Sequence, residues 1–182
     1  MLYEPAEDSF LLAEALKNLL PELLKKNKNL RFLDVGCGSG VILKVALSCG
    51  VKEENILGAD INPEAIKHCS GLGFHSINSD LFSNIKEKFD VITFNPPYLP
   101  DDKLEPKDSK RETTGGRKGN EISLRFLKQA GDYLNPEGRM FLVTSSLAES
   151  IGFERHGYCA KIVAREKMFF EELWVWELAR LR

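Results

Sequence analysis

An apolar run, Val91-Ile92-Thr93-Phe94, stops abruptly at Asn95-Pro96-Pro97-Tyr98. A carboxamide, two prolines and a phenol are poor continuations of a buried strand. They are good partners for a planar –NH₂ group. The Asn95 side-chain oxygen and the Pro96 backbone carbonyl are two acceptors, and each can take one N–H of such a group. Proline fixes φ and has no N–H, so the carbonyls around it are held in place and are not consumed by a sheet. Tyr98 offers a ring face for the planar group to pack on. An amide nitrogen is a poor nucleophile because its lone pair is delocalised, and acceptors on both hydrogens would localise it. Taken alone, Asn-Pro-Pro also reads as an ordinary turn.

Three acids stand at the ends of expected strands: Asp34 after "NLRFL", Asp60 in "NILGADI" and Asp80 in "FHSINSD". Asp34 precedes Gly36, Gly38 and Gly40, spaced G-x-G-x-G. A dinucleotide-binding dehydrogenase would prefer G-x-G-x-x-G with its ribose acid about 20 residues further on. An acid ahead of the loop would also repel a pyrophosphate; it suits an ammonium. Asp60 can accept from both hydroxyls of a ribose, each charge-assisted bond contributing about 1.5–3 kcal/mol. Asp80 can accept from an adenine amine, with Leu81 packed on the ring. Each acid by itself could equally cap a helix or turn. Together they describe a pocket for an ammonium, a ribose and an adenine, which fits S-adenosylmethionine.

The elements that must position these groups follow from periodicity. Leu11, Leu12, Ala15, Leu16 and Leu19 recur at helical spacing after the acidic start Glu7-Asp8-Ser9. Pro21 should break or kink that helix, or open a second one. Strands are expected over 29–35, 55–61, 74–80 and 89–94, with helices at "VILKVALSCG" and "NPEAIKHCSGLG", the latter capped by Asn62 with Pro63 at its first position. Residues 99–120 read as a long polar loop, "EISLRFLKQAGDYL" as a helix and "GRMFLVTSS" as a fifth strand. Two final strands, "YCAKIVARE" and "EELWVWELAR", leave room before them for only a brief helix around Leu147–Gly152. Strands alternating with helices imply a parallel sheet with right-handed crossovers, and the two last strands an antiparallel edge. In such sheets ligands bind beyond the carboxyl ends of the strands, where all the motifs above fall.

Composition narrows the function classes. The 182 residues suit one domain, and 43% hydrophobic with 29% charged residues allows a sizeable core. A formal net charge of -2 argues against strong non-specific attraction to a phosphate backbone. The four cysteines form no C-x-x-C pair and no His stands at metal-ligand spacing, so isolated reduced thiols and no metal are expected. The first residues lack a basic segment followed by a long apolar run, and no stretch reaches about 18 apolar residues, so a soluble cytoplasmic protein is expected.

The ordered segments "LDVGCGSG", Asp60, Asp80 and Asn95-Pro96-Pro97-Tyr98 resemble class I methyltransferases that modify planar nitrogens. "YEPAEDSFLL" and "GGRKGNEI" narrow this to the archaeal and eukaryotic HemK-type glutamine methyltransferases, which act on the GGQ loop of class I peptide release factors. That resemblance covers nearly the whole chain and implies a Rossmann-like α/β fold. Its seven-stranded sheet would be mostly parallel, with one antiparallel edge strand and helices on both faces. It implies one methyltransferase domain over 1–182, with residues 1–28 as a helical cap and 99–120 facing the substrate. It places Tyr3, Ser9, Asp34, Gly36, Gly38, Asp60, Ile61, Asp80, Leu81 and Asn95 on the cofactor, Ser9 at the methionine carboxylate, and Asn95 to Tyr98 at the acceptor amide. Ser9 could at the same time cap its helix. The resemblance further implies a small zinc-binding activator subunit added to the sheet edge beside the third strand.

Two other enzymatic readings use the same chemistry: methylation of an exocyclic amine of DNA or RNA, and of a protein lysine. The first is disfavoured by net charge and by the lack of a domain for flipping a base; the second because the motif suits a planar amide better. A cofactor-binding scaffold without activity is disfavoured by the intact Asn95 and Asp60. Trp174 and Trp176 are expected in the core; Phe169 and Phe170 are expected either in the core or as an exposed patch. The cations Lys107, Lys110, Arg111, Arg117 and Lys118 are expected in a solvated loop or a substrate-ordered lid.

Overall fold

The computed structural model describes residues 5–101 and 113–181. The alternating apolar and amphipathic runs become α1 (Glu7–Lys26), β1 (Phe32–Val35), α2 (Val41–Ser48), β2 (Ile56–Asp60), α3 (Pro63–Gly71), β3 (His75–Asn78) and β4 (Phe89–Phe94). They continue as β5 (Leu99–Pro100), β6 (Thr114–Gly116), α4 (Glu121–Tyr133), β7 (Leu134–Ser145), β8 (Tyr158–Lys167) and β9 (Glu172–Arg180). Seven strands form one sheet in the order β3-β2-β1-β4-β7-β9-β8. Strand order reverses between β1 and β4, so the crevice of a doubly wound sheet opens there. The expected antiparallel edge is made of two strands: β9 runs against β7, and β8 against β9.

The period of two in β7 explains how one sheet carries two cores. Phe141 and Val143 face α1, α2 and α3 in one cluster, whereas Met140 and Leu142 face α4 in the other. On the α4 side Phe126 packs between Phe82, at 5.4 Å, and Phe94, at 4.8 Å between ring centroids. Asn62 caps α3 as expected, its side chain accepting from Glu64 N at 3.0 Å with Pro63 following.

Several expectations are corrected. Pro21 neither ends α1 nor opens a second helix: α1 runs through it for 20 residues. The apolar face of α1, with Leu12, Leu16 and Leu20 fully buried, outweighs the lost hydrogen bond. Ser9 does not cap α1; the helix starts after Ala6, without a side-chain cap. The brief helix lies at Phe153–His156, a single 3₁₀ turn, not at Leu147–Gly152. The described ends of the 99–120 segment are not plain loop, because β5 and β6 pair in parallel. Trp174 and Trp176 are half-buried rather than core: they share a face of β9 with the buried Leu178 but line a cavity near the start of the strand. Phe169 and Phe170 are exposed, at the turn between β8 and β9. Tyr3, Lys107, Lys110 and Arg111 lie outside the described residues.

Phe126→Ala should cost about 3–5 kcal/mol of stability, since it empties the aromatic stack under α4. Denaturant titration reads this directly; a loss below about 1 kcal/mol would contradict the packing described.

Candidate active site

Register sets the site. Val35 of β1 pairs with Phe94 of β4, and Val35 also pairs with Ala59 of β2. The glycine loop beginning at Gly36 and the Asn95 segment therefore leave the sheet side by side, with Asp60 next along. Gly36, Gly38 and Gly40 all have positive φ, at 70°, 45° and 74°, which only glycine adopts freely. Gly36 N donates to Ala59 O at 2.7 Å and holds the loop over β2.

Ser9, Asp34, Gly36, Gly38, Asp60, Ile61, Asp80, Leu81 and Asn95 to Tyr98 all line one cavity of about 1110 Å³. Every described residue assigned to the site from sequence is thus brought together. Asp60 is held by two backbone donors, Gly38 N at 2.9 Å and Asn62 N at 2.8 Å. It therefore serves as a turn-forming acid and as a cavity acid at once. Asp80 lies two residues beyond the end of β3, is exposed, and pairs with Arg125 of α4 at 2.9 Å. Leu81, buried, takes φ 51°, a conformation costing a branched residue about 1–3 kcal/mol. That turn sets Asp80 and Leu81 together on the cavity wall.

Asp34 is 3% exposed and accepts from Thr93 Oγ1, its neighbour across the β1–β4 ladder, at 2.7 Å. Burial raises its pKa from 3.8 to about 7; the Thr93 bond pulls it down and the Asp60 charge pushes it up. Beneath the loop the Cys37 and Cys69 thiols lie 3.6 Å apart, so these two are neighbours rather than isolated. The hydrogen bond to Cys69, with burial, pushes the Cys37 thiol up.

At the acceptor end, Asn95 Nδ2 reaches Ser9 Oγ at 3.4 Å, a long bond. Asn95 Oδ1 is buried and has no hydrogen-bond partner among the described residues. Tyr98 OH donates to Asp8 Oδ2 at 3.1 Å, and Asp8 Oδ1 accepts from Ser9 N at 2.6 Å. The first turn of α1 thus braces both Asn95 and Tyr98. The GGR segment lies against the same residues: a Cβ on Gly115 would strike the carbonyls of Pro97 and Gly119, and one on Gly119 the carbonyl of Tyr98. Asp8, Thr93 and Arg125 have no assignment from sequence. Asp8 reads there as an acid opening a helix, and the other two need the strand register and the docking of α4.

The methyltransferase small domain family model matches residues 14–152. The chain belongs to that family. A Methanocaldococcus jannaschii protein, provisionally named a protein N5-glutamine methyltransferase, is 41% identical over 99% of the chain and 92% of its own length. Human methyltransferase HEMK2 is 34% identical over 79% of the chain and 71% of its own length. These relatives place the chain in the HemK-type branch. The E. cuniculi Mtq2–Trm112 complex, responsible for methylation of the eRF1 translation termination factor, superimposes with a TM-score of 0.70. That likeness covers 98% of both chains at 24% identity and shows the fold.

The donor set of this family member fits S-adenosylmethionine. Asp34 with the glycine loop could hold its amino acid part, Asp60 the ribose, and Asp80 with Leu81 the adenine. The buried Asp34 is neutral in the fold below about pH 7 but ionised in the unfolded chain above about pH 4. Ligand-free stability from this group is therefore full below about pH 4, falls as pH rises to about 7, and is flat beyond. An ammonium beside Asp34 favours the carboxylate, so affinity should change with the opposite sign. Calorimetry should show S-adenosylmethionine binding several-fold tighter at about pH 7.5 than at about pH 6, with the slope flattened in Asp34→Asn. Equal affinity at both pH values in the unaltered protein would remove Asp34 from the ammonium.

Proposed function

We propose that the chain transfers a methyl group from S-adenosylmethionine to the side-chain amide nitrogen of a glutamine, the one in the GGQ loop of a class I peptide release factor. The carrying observation is Asn95 Oδ1, a buried acceptor without a hydrogen-bond partner among the described residues, beside the cavity that Asp34, Asp60 and Asp80 line. Such an orphan costs about 1–3 kcal/mol, relieved when an N–H arrives. The names of relatives support the substrate class: one is the eRF1 methyltransferase catalytic subunit of Schizosaccharomyces pombe, 29% identical over 78% of the chain and 71% of its own length.

When bound, S-adenosylmethionine supplies an electrophilic methyl group on sulfur. The chain supplies geometry. Asn95 Oδ1 and the Pro96 carbonyl accept the two N–H groups of the glutamine amide, which localises the nitrogen lone pair and aims it. Tyr98, fixed by Asp8, packs on the amide plane. No strong base is needed, because a nitrogen gaining a methyl becomes acidic and its proton already faces an acceptor. Alignment of this kind can lower a barrier by about 7–11 kcal/mol. Ser9, positioned by Asp8, is set to meet the methionine carboxylate, and Leu99 and Thr113, at the described ends of the 99–120 segment, line the same cavity.

The reading includes a partner, a small zinc-binding activator subunit on the open edge of β3. That strand is four residues long, lies at the sheet edge, and exposes His75 and Asn78. An uncovered strand edge favours pairing with another chain.

Asn95→Ala should retain S-adenosylmethionine binding while turnover falls about 100-fold or more. Asp60→Ala should instead weaken that binding by about 2 kcal/mol, roughly 30-fold. Calorimetry with single-turnover labelling separates the two; equal loss of binding in both variants would refute the division of roles. A release factor with Gln→Ala in its GGQ loop should accept no label, and undiminished labelling would exclude that glutamine as the acceptor.

A further inference from the structure

Tyr98 has two sides. One lines the cofactor cavity; the other lines a second cavity of about 390 Å³ whose walls include Trp174, Trp176, Ile162, Phe153 and Asn120. It sits at the carboxyl end of β7, where Thr144 pairs with Trp174. Trp176 is fixed there: its indole N–H donates to Thr144 Oγ1 at 2.8 Å, and its ring lies 4.9 Å from that of Phe153. Among the described residues the wall carries one charged side chain, Glu149, and Lys118 neutralises it at 2.9 Å.

We propose that this cavity receives a large apolar side chain of the protein substrate, carried on the same segment as the acceptor amide. The inference rests on the reading of the chain as a protein methyltransferase and adds a specificity pocket to it. Continuity argues for this occupant. A segment whose amide lies between Asn95 and Tyr98 need only pass over Tyr98 to reach the second cavity, and an extended chain covers about 3.3–3.6 Å per residue. Electrical neutrality and two indoles favour an apolar side chain over a charged one. The surface also extends toward Phe169 and Phe170, which are 98% and 87% exposed. The turn carrying them is tied to Ser146, on the cavity wall, by two hydrogen bonds with Glu172 at 2.8 and 2.9 Å. Exposed aromatics beside an apolar cavity mark a protein-binding surface.

The test uses the full chain and a library of glutamine peptides with the acceptor fixed and the flanking positions varied; methyl transfer is read by mass spectrometry. The unaltered protein should prefer Leu, Met or Phe over Asp at one fixed offset from the glutamine by roughly tenfold or more in kcat/KM. Ile162 is 45% exposed on the rim, so Ile162→Glu should fold and abolish that preference while leaving S-adenosylmethionine affinity unchanged. Trp174→Ala should reduce the preference. An active protein with no apolar preference at any offset, or with a preference that survives both variants, overturns the inference and leaves the methyltransferase reading standing. A concentration-dependent dimer broken by Ile162→Glu, with peptide preference intact, also overturns it by assigning the cavity to a second copy. Failure of the unaltered protein to label any glutamine peptide or release factor, with the proposed activator subunit present, overturns the function itself, and the inference with it.

Discussion

The site depends on the parallel pairing of β1 with β4. Because Val35 stands opposite Phe94, the chain leaves the two strands at Gly36 and Asn95 together. One departure is a backbone kept open by positive φ, the other a backbone stiffened by two prolines. A one-residue slip would turn Asp34 and Thr93 to opposite faces and separate the acid from the Thr93 hydroxyl. The core makes such a slip costly, since alternate residues of the strands fill clusters on opposite faces of the sheet.

Around that ladder the protein accepts local costs that a purely structural sheet would avoid. Asp34 is buried, with the Asp60 charge acting on it, and its acid form is favoured nearly to neutrality. Asn95 Oδ1 has no hydrogen-bond partner among the described residues, and Leu81 holds a left-handed conformation. Each cost falls on the wall of one cavity, as expected where strain and unmet polarity are reserved for a ligand. The surrounding packing offsets them: α1 covers one face, α4 the other, and both also touch the site. From α1 come Asp8 and Ser9 under Tyr98 and Asn95; from α4 comes Arg125 against Asp80.

Legibility varied with the range of the interaction that fixes each feature. The Asn62 cap, the glycine loop and the strands flanking it are short-range patterns and read directly from sequence. Pro21 misled because local propensity lost to the burial of Leu12, Leu16 and Leu20. Trp174 and Trp176 misled because alternation in β9 puts them on the face of the buried Leu178, while how far along that face the cover extends is set by distant elements. Cys37 and Cys69 lie 32 residues apart and meet only when α3 docks beneath the loop.

By itself the sequence determined the chemistry: the types and order of the acids, the glycines and the Asn-Pro-Pro-Tyr segment state a donor pocket and an acceptor for a planar amide. Their recurrence at expected strand ends also determined the class of sheet, because residue type and period are local properties. Only the tertiary structure decided which groups brace the site and how its acids behave. Thr93 on Asp34, Asp8 on Tyr98 and Arg125 on Asp80 are contacts across the sheet or between helix and sheet. The raised pKa of Asp34 comes from the burial that these elements create together, and no stretch of sequence carries that information alone.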